Sequence, residues 1–238
     1  MKYALVTGTS HGIGLELTRK LFDRGYYVIA CRKDDTEHLI DDVASNYPGQ
    51  ITILPLDIGD DASVAGMKDA VLNTVPCLDL LINNAGILGD MSRTVGDKLD
   101  FDEMLHVFNI NALGALRVTN ALAGLVTKSQ QRLIINISSE AGSIQDCWRE
   151  GWFGYCMSKA ANNMQGTIVQ NALKDKGVRV LQIHPGHVAT YMRGHLDTTA
   201  KLTPDESAEA ILKVVLDTEH PVTDHPPFID YRGMSLRY

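Results

Sequence analysis

Residues 2–14 read Lys-Tyr-Ala-Leu-Val-Thr-Gly-Thr-Ser-His-Gly-Ile-Gly. The run Tyr3–Thr7 is short, apolar and β-branched, which predicts a buried strand. After the glycines, Ile13, Leu17 and Leu21 fall four residues apart, as on one face of a helix. Glycines allow a tight turn, and a helix N-terminus offers free N–H groups with a partial positive charge. This order predicts a phosphate-binding loop; the alternative is a loop whose glycines serve only the turn.

The composition is that of an ordinary globular protein, with 238 residues, 45% of them hydrophobic and 21% charged. The formal net charge of -7 disfavours a broad nucleic-acid or anionic-membrane surface, but it allows a local basic pocket. No apolar run approaches the roughly 20 residues of a membrane span, and a strand at the N-terminus argues against a signal peptide. We therefore expect neither a nucleic-acid partner nor a membrane partner.

The four cysteines are scattered and form no C-x-x-C pair. Such cysteines are typical of free thiols in a reducing compartment, so we expect a cytoplasmic protein. His184 and His187 flank Pro185-Gly186, but no third ligand is evident, and we expect no metal site.

Apolar runs alternate with helical segments along the whole chain. The predicted strands are Tyr3–Thr7, Tyr26–Cys31, Ile51–Leu56, Leu78–Ile82, Leu133–Ile137, Val178–Ile183 and Phe228–Tyr231. The predicted helices follow the glycine loop and span Thr36–Tyr47, Asp60–Val75, Phe101–Lys128, Tyr155–Lys176 and Pro204–Thr218. Continuous apolar strands between helices are typical of a parallel sheet covered on both faces. We predict an α/β fold, a Rossmann-type doubly wound parallel sheet of about seven strands, in one domain spanning residues 1–238.

Polar clusters follow the carboxyl ends of the predicted strands, which is where open α/β sheets bind ligands. They are Gly8–Gly14, Arg32, Asp57, Asn83–Gly86, Ser138-Ser139 and Pro185–Thr190.

Arg32 and Lys33 follow the second strand. A dinucleotide fold that prefers NAD usually carries an acid there for the ribose hydroxyls, whereas a basic residue suits a 2′-phosphate. The alternative is a solvated Arg-Lys pair at a strand end.

Tyr155 and Lys159 are four residues apart on a predicted helix, so they share a face. A cation beside a phenol favours the phenolate and lowers its pKa from about 10, which would let the tyrosine act as a general acid or base. A chance Tyr-x-x-x-Lys on a helix surface is the alternative, because the chain holds 8 tyrosines.

Six motifs in order resemble the short-chain dehydrogenase/reductase family, in its single-domain branch of C-factor- and Sniffer-like carbonyl reductases. They are Thr7-Gly8-Thr9-Ser10-His11-Gly12-Ile13-Gly14, Asn83-Asn84-Ala85-Gly86, Asn111-Ala112-Leu113-Gly114, Ser138-Ser139, Tyr155-Cys156-Met157-Ser158-Lys159 and Pro185-Gly186-His187-Val188-Ala189-Thr190. The resemblance runs from Lys2 to about Thr190.

The resemblance implies a role for each matched residue. The implied catalytic residues are Asn111, Ser139, Tyr155 and Lys159. Tyr155 would give a proton to the carbonyl oxygen as hydride arrives, and Ser139 would hydrogen-bond the same oxygen. Lys159 would bind the ribose hydroxyls and depress the pKa of Tyr155, and Asn111 would hold a water of the proton relay. The implied cofactor-binding residues are Gly8, Ser10, His11, Gly12, Ile13, Gly14, Arg32, Asp57, Ile58, Asn84, Ala85, Gly86, Tyr155, Lys159, Pro185, Val188 and Thr190.

The chain departs from the family pattern at three places. NADP-preferring members often carry Arg or Lys where this chain has His11. The gap between Ser139 and Tyr155 is longer than usual, so Ser138 and Ser143 remain alternatives to Ser139. The added loop Ile144–Gly154 contains Trp148, Arg149, Glu150, Trp152 and Phe153; it either walls the substrate pocket with aromatic rings or packs on its own body or a partner subunit.

The resemblance implies an oxidoreductase that reduces a small-molecule carbonyl to an alcohol, or the reverse. NADP (NADPH) is the favoured cofactor and NAD is possible. The alternative is a dinucleotide-binding sensor or signalling protein with little turnover. The family resemblance further implies a mobile substrate loop at about 187–203, and a homodimer or homotetramer formed through the helices Phe101–Lys128 and Tyr155–Lys176.

Overall fold

The fold is built on one parallel sheet. The structure is a computed structural model that describes residues 1–33 and 38–238. Its strands are β1 (Lys2–Thr7), β2 (Tyr26–Arg32), β3 (Ile51–Pro55), β4 (Leu80–Asn83), β5 (Leu133–Ile137), β6 (Arg179–His184) and β7 (Phe228–Asp230). They form a seven-stranded sheet in the order β3-β2-β1-β4-β5-β6-β7, in which every pairing is parallel. The predicted α/β, doubly wound fold is confirmed.

The strand order reverses between β1 and β4. From β1 the chain steps outward to β2 and β3, and it then returns to the other side of β1 with β4. A crevice opens at such a reversal, beyond the carboxyl ends of the strands. The loops that follow β1 and β4 therefore meet at the position where this class of sheet binds ligands.

Helices cover both faces of the sheet. They are α1 (Gly12–Asp23), α2 (Leu39–Asn46), α3 (Asp61–Thr74), α4 (Phe101–Phe108), α5 (Ala115–Lys128), α6 (Phe153–Leu173) and α7 (Pro204–Asp217). Alternate residues of β1 face opposite ways: Ala4 and Val6 belong to the core under α1, α2 and α7, and Leu5 to the core under α3 and α5. Burial on both faces explains why the strands read as continuous apolar runs.

Two predicted helices match the observed ones to within one residue at each end, and three differ more. The segment predicted as the helix Phe101–Lys128 contains a wider, π-helical turn at Asn109–Gly114 between α4 and α5. The helix bearing Tyr155 begins earlier, at Phe153, and ends at Leu173 before a 3-10 turn. For the predicted helix Thr36–Tyr47, the structure gives Leu39–Asn46, while Thr36 and Glu37 lie outside the described residues.

The helical segment Phe101–Lys128 is long and apolar enough to cross a membrane, judged by length and composition alone. The sequence expectation that no segment approaches this length overlooked it. More than half of its most apolar stretch is buried inside the protein, and a core helix that packs on a sheet passes the same test.

Candidate active site

The glycine loop after β1 is held by contacts from two neighbouring strands. Gly8 donates its N–H to the Cys31 carbonyl at 2.9 Å. The Asn84 side-chain amide, just beyond β4, donates to the carbonyls of Thr7 and Gly8 at 2.9 and 3.0 Å. A Cβ on Gly14 would lie 2.1 Å from the Gly8 carbonyl oxygen, so glycine is required there. The loop therefore has one fixed shape in the crevice.

The first turn of α1 offers backbone N–H groups to a ligand. Within the described part of the chain, the His11 side chain makes no capping hydrogen bond to this turn, which also lacks an acidic residue. Gly12 has φ of +62°, and a Cβ on it would meet only Thr190, at 3.5 Å. Ser10 is half-buried in the loop, and Ile13 packs against the core. An uncapped N-terminus of this kind suits an anionic group.

Both basic residues at the end of β2 are paired with carboxylates. Arg32 donates to Asp41 at 2.5 Å and keeps only 14% of its side chain exposed. Lys33 contacts Asp57 at 2.9 Å, and its hydrogen bond holds the pKa of Asp57 below the ordinary value. An anionic ligand at this corner would therefore exchange places with a carboxylate.

Asp57 and Ile58 form the turn after β3. Asp57 accepts a hydrogen bond from the Gly59 N–H at 2.8 Å. The Ile58 side chain packs against Gly114, where a Cβ would come within 2.8 Å of it. This turn is thereby fixed against the π-helical segment.

Asn111 lies in the π-helical turn, a feature that frequently marks functional sites. Its Oδ1 accepts from the Ile87 N–H and its Nδ2 donates to the Ile87 carbonyl, both at 2.8 Å. The same Nδ2 donates to the Ser158 hydroxyl at 3.0 Å. A Cβ on Gly86 would lie 3.1 Å from Asn111 Oδ1, and the Ala85 N–H is held by the hydroxyl of the β1 threonine. Asn111 thus joins the loop after β4 to α6.

Three serines follow β5, and their hydroxyls make different contacts. Ser138 donates its hydroxyl to Asn163 Oδ1 at 2.6 Å, two turns after Tyr155 on α6. Ser143 accepts from the backbone of the next loop. The Ser139 hydroxyl accepts from the Ala141 N–H at 3.1 Å, and the Ser139 side chain acts to lower the pKa of the Tyr155 phenol. This geometry favours Ser139 over the other two.

Tyr155 and Lys159 lie one turn apart on α6, and both are buried. They are 8% and 3% exposed. The Lys159 ammonium lies 5.6 Å from the centroid of the Tyr155 ring and donates to the Ile137 carbonyl at 2.9 Å. A Cβ on Gly86 would lie 3.7 Å from the same nitrogen, so the loop after β4 reaches this point as well. The glycine loop and the Tyr155 phenol therefore border one crevice.

The net shift in the pKa of Tyr155 is opposite in direction to the depression expected from Lys159. Burial raises the pKa of Tyr155 to about 12, while contact with Ser139 and the charge of Arg149 act in the lowering direction. Burial also lowers the pKa of Lys159 to about 8, so its own charge is disfavoured. The phenol is consequently protonated at neutral pH and can donate a proton.

The loop Ile144–Gly154 is anchored at both sides. Gly151 forms an antiparallel bridge with Thr94, and the Gln145 N–H donates to the Tyr238 carbonyl at 3.1 Å. Trp152, immediately before α6, has φ of +65°, an unusual backbone conformation for a bulky residue. Its ring packs edge-on against that of Tyr155, with 6.3 Å between the ring centroids. The loop therefore packs on its own body and also brings an aromatic ring to the tyrosine.

Sequence reasoning named Arg149 only as a member of this loop and missed its charge contacts. Its guanidinium stacks over Trp148 and Trp152, 4.7 and 4.8 Å from the ring centroids, and pairs with Glu140. The available signal was an arginine with tryptophans one residue before it and three residues after it, a spacing that permits stacking on both rings.

The segment after β6 reaches back to the glycine loop. The Pro185 carbonyl accepts from the Ser207 hydroxyl at 2.7 Å, which ties it to α7. Val188 is buried and forms a parallel bridge with Leu202. Since Thr190 lies against Gly12, this segment closes the crevice on a third side.

In the region predicted as a substrate loop, the Asp197 carboxylate contacts the side chains of two basic residues. His187 contacts Asp197 at 2.9 Å, and Arg193 approaches the same carboxylate at 3.3 Å. Across residues 1–33 and 38–238, no group of three or more His, Cys, Asp or Glu side chains could hold a metal ion. All four cysteines are free.

Comparison with known proteins gives consistent matches. The short chain dehydrogenase family model matches residues 2–201. The C-signal protein of Myxococcus xanthus is 36% identical over 161 residues, covering 67% of this chain and 92% of that protein. The NADPH-bound carbonyl reductase from chicken fatty liver has a TM-score of 0.88 at 31% identity, covering 100% of this chain and 99% of its own. The carbonyl reductase Sniffer of D. melanogaster has a TM-score of 0.90 at 24% identity, covering 100% of both chains, which shows a shared fold.

Proposed function

Because the chain belongs to the short-chain dehydrogenase family of oxidoreductases, we propose that it reduces a small carbonyl compound to an alcohol with NADPH. The observation that carries this proposal is the Tyr155 phenol, which is buried, protonated and in contact with Ser139 at the border of the glycine-loop crevice. Two neighbouring hydroxyl donors suit a carbonyl oxygen on which negative charge develops.

The crevice fits a dinucleotide. Gly8 and Gly14 have no room for a Cβ, and the N–H groups of α1 lack a side-chain cap within the described residues. The residues proposed to bind the cofactor are Gly8, Ser10, His11, Gly12, Ile13, Gly14, Arg32, Asp57, Ile58, Asn84, Ala85, Gly86, Tyr155, Lys159, Pro185, Val188 and Thr190. The chicken relative was solved with NADPH bound, which supports the same cofactor here.

Arg32 is the proposed partner of the 2′-phosphate. Its guanidinium is held at the end of β2 by Asp41, and Lys33 adds a second cation. A phosphate carries more negative charge than a carboxylate, so it competes well for Arg32.

When bound, the cofactor supplies a hydride to the carbonyl carbon. Tyr155 then donates its phenolic proton to the carbonyl oxygen, and Ser139 hydrogen-bonds that oxygen. Lys159 lies close enough to Gly86 to meet a ribose placed along the loop after β4. Both amide atoms of Asn111 are engaged, so we propose that it acts by holding Ile87 and Ser158 in place.

The replacement Tyr155→Phe tests the proton donor. It should lower kcat by about 10²- to 10⁴-fold, the usual contribution of a general acid, while NADPH binding largely persists. Tyr3→Phe is a matched control, because Tyr3 lies at the opposite end of β1. Near-normal turnover by Tyr155→Phe on the substrate would show that the proposed acid is wrong.

The replacement Arg32→Ala tests the cofactor preference. It should weaken NADPH binding far more than NADH binding, measured by parallel fluorescence titrations, because only NADPH carries the 2′-phosphate. Arg24→Ala is the control, since Arg24 pairs with Glu209 beyond the C-terminal end of α1. Equal losses for both cofactors would remove Arg32 as the phosphate ligand.

A dinucleotide-binding sensor is the second candidate, favoured by the 36% identity to a protein named C-signal. A panel of aldehydes, ketones and quinones separates the two functions. Reduction of any compound at the expense of NADPH supports the enzyme, whereas tight NADPH binding without turnover across the panel supports the sensor.

We further propose a homodimer or homotetramer in a reducing, cytoplasmic compartment. Large apolar side chains are exposed on α4 and α6, namely Phe101, Leu105, Met157, Met164 and Ile168. Such a surface is typical of an interface, and light scattering on the purified protein tests it. The free cysteines support the compartment.

A further inference from the structure

Arg149 is a buried cation in the loop between β5 and α6. Its side chain is 6% exposed, and its guanidinium is stacked between the rings of Trp148 and Trp152. One nitrogen, Nη2, donates to Glu140, whose side chain is 40% exposed. The two indoles thus hold the guanidinium in place while its counter-ion borders solvent.

The guanidinium and Tyr155 contact the same aromatic ring, that of Trp152. The ring of Trp152, which covers one face of Arg149, packs edge-on against Tyr155 at 6.3 Å. Burial is the main cause that raises the pKa of Tyr155; the charge of Arg149 acts to lower it and the charge of its partner Glu140 acts to raise it. Arg149 is therefore electrostatically coupled to the proposed proton donor.

Two nitrogens of this guanidinium have no acceptor. Nε and Nη1 are buried and lack a hydrogen-bond partner among the described residues. The Nδ1 atom of His184, at the end of β6, is also buried without a hydrogen-bond partner among the described residues. The charges of Glu140 and Arg149 both affect the pKa of His184, which burial lowers. Buried donors without acceptors are rare because they are costly, so an arriving acceptor would be bound well.

We propose that Arg149 binds an acidic group of the substrate beside Tyr155, so that the preferred substrates are oxo acids, with hydroxy acids for the reverse reaction. This inference rests on the proposed carbonyl reduction at Tyr155. A carboxylate is an acceptor-only group, and guanidinium is the side chain best suited to it.

Glu140 occupies part of the same guanidinium and competes with the substrate acid. A neutral amide at this position leaves more of the positive charge of Arg149 to the substrate. If the Glu140–Arg149 pair were purely structural, Glu140→Gln would instead lower turnover of the substrate acid, because breaking the pair would loosen the loop.

The test compares acetoacetate with its methyl ester, which present the same ketone with and without a carboxylate. Arg149→Gln should lower kcat/KM for acetoacetate by about 10- to 100-fold more than for the ester, which is the loss of a charge-assisted hydrogen bond, because any effect of the removed charge on Tyr155 is common to both compounds. Glu140→Gln should raise kcat/KM for acetoacetate relative to the ester. Arg237→Gln is the matched control, because it removes one cation that contacts the same loop through Asp146.

Binding without turnover supplies a second measurement. Acetoacetate should bind the NADPH-loaded Tyr155→Phe protein in calorimetry and should not bind when Arg149→Gln is added. Equal losses of acid and ester turnover in Arg149→Gln, or a lower acid-to-ester ratio in Glu140→Gln, would overturn the inference. A Tyr155→Phe protein that remains active would contradict only the role of Tyr155 as proton donor. The ratio of acetoacetate to ester turnover would still report on Arg149.

Discussion

Replacing Gly14 with alanine should disrupt the glycine loop. A Cβ at this position would lie 2.1 Å from the Gly8 carbonyl oxygen and 2.5 Å from the Asn84 amide nitrogen. An ordinary carbon–oxygen contact is about 3.3 Å, so the loop must open by about 1 Å. That movement breaks the hydrogen bonds that Asn84 donates to Thr7 and Gly8.

The cost is set by this rigid neighbourhood. Overpacking costs about 1–3 kcal/mol when the surroundings must shift, and here the obstructing atom is backbone. We therefore expect the free energy of unfolding of Gly14→Ala to fall by about 2 kcal/mol in urea titrations of the cofactor-free protein. The NADPH dissociation constant should rise more than about tenfold, because the loop that positions the N–H groups has changed shape.

Gly124→Ala is a matched control with the opposite sign. Gly124 lies within α5, and a Cβ there would meet nothing within 4 Å. Alanine stabilises a helix interior by up to about 1 kcal/mol relative to glycine, so this variant should be slightly more stable and bind NADPH normally. Unchanged stability and unchanged NADPH binding in Gly14→Ala would refute the reasoning.

Three further replacements test the structure elsewhere. The pKa of Lys159 is lowered by burial to about 8 from 10.5, so the unfolded chain binds a proton between these values that the folded protein lacks. The free energy of unfolding of the unmodified protein, measured by urea titration, should therefore rise with pH across this interval by up to about 3 kcal/mol relative to that of Lys159→Met. A difference between the two proteins that does not change with pH would contradict the lowered pKa. Thr203→Ala removes the capping box with Glu206 at the start of α7 and should lower the free energy of unfolding by about 1 kcal/mol, measured by thermal unfolding. An unchanged free energy of unfolding would contradict a stabilising role of the cap. Gly166→Ala places a Cβ 1.7 Å from the Gln182 amide nitrogen and should lower the melting temperature unless Gln182 adopts another rotamer. Adding Gln182→Ala removes the clashing side chain, so the double variant should recover part of the lost melting temperature.

Local patterns in the sequence predict most of the fold. Apolar runs buried on both faces gave strands within one or two residues of those observed, and the family assignment follows from motifs placed at their ends. The exact helix boundaries were less accessible, because the π-helical turn at Asn109–Gly114 depends on contacts of Asn111 with the distant Ile87. The roles of the site residues stay predictions until the variants are measured.

The spacing of Tyr155 and Lys159 by itself placed them on one helix face, because helix periodicity is a local property. The tertiary structure decided the direction of the Tyr155 pKa, since burial is a sum over segments that are distant in sequence. It also decided the hydrogen-bond partners of the two serines, Asn163 for Ser138 and the Ala141 N–H for Ser139, because these partners are set by how the loop and α6 pack. The burial of Arg149 between two indoles has the same origin: a loop acquires its environment only when the rest of the chain has folded around it.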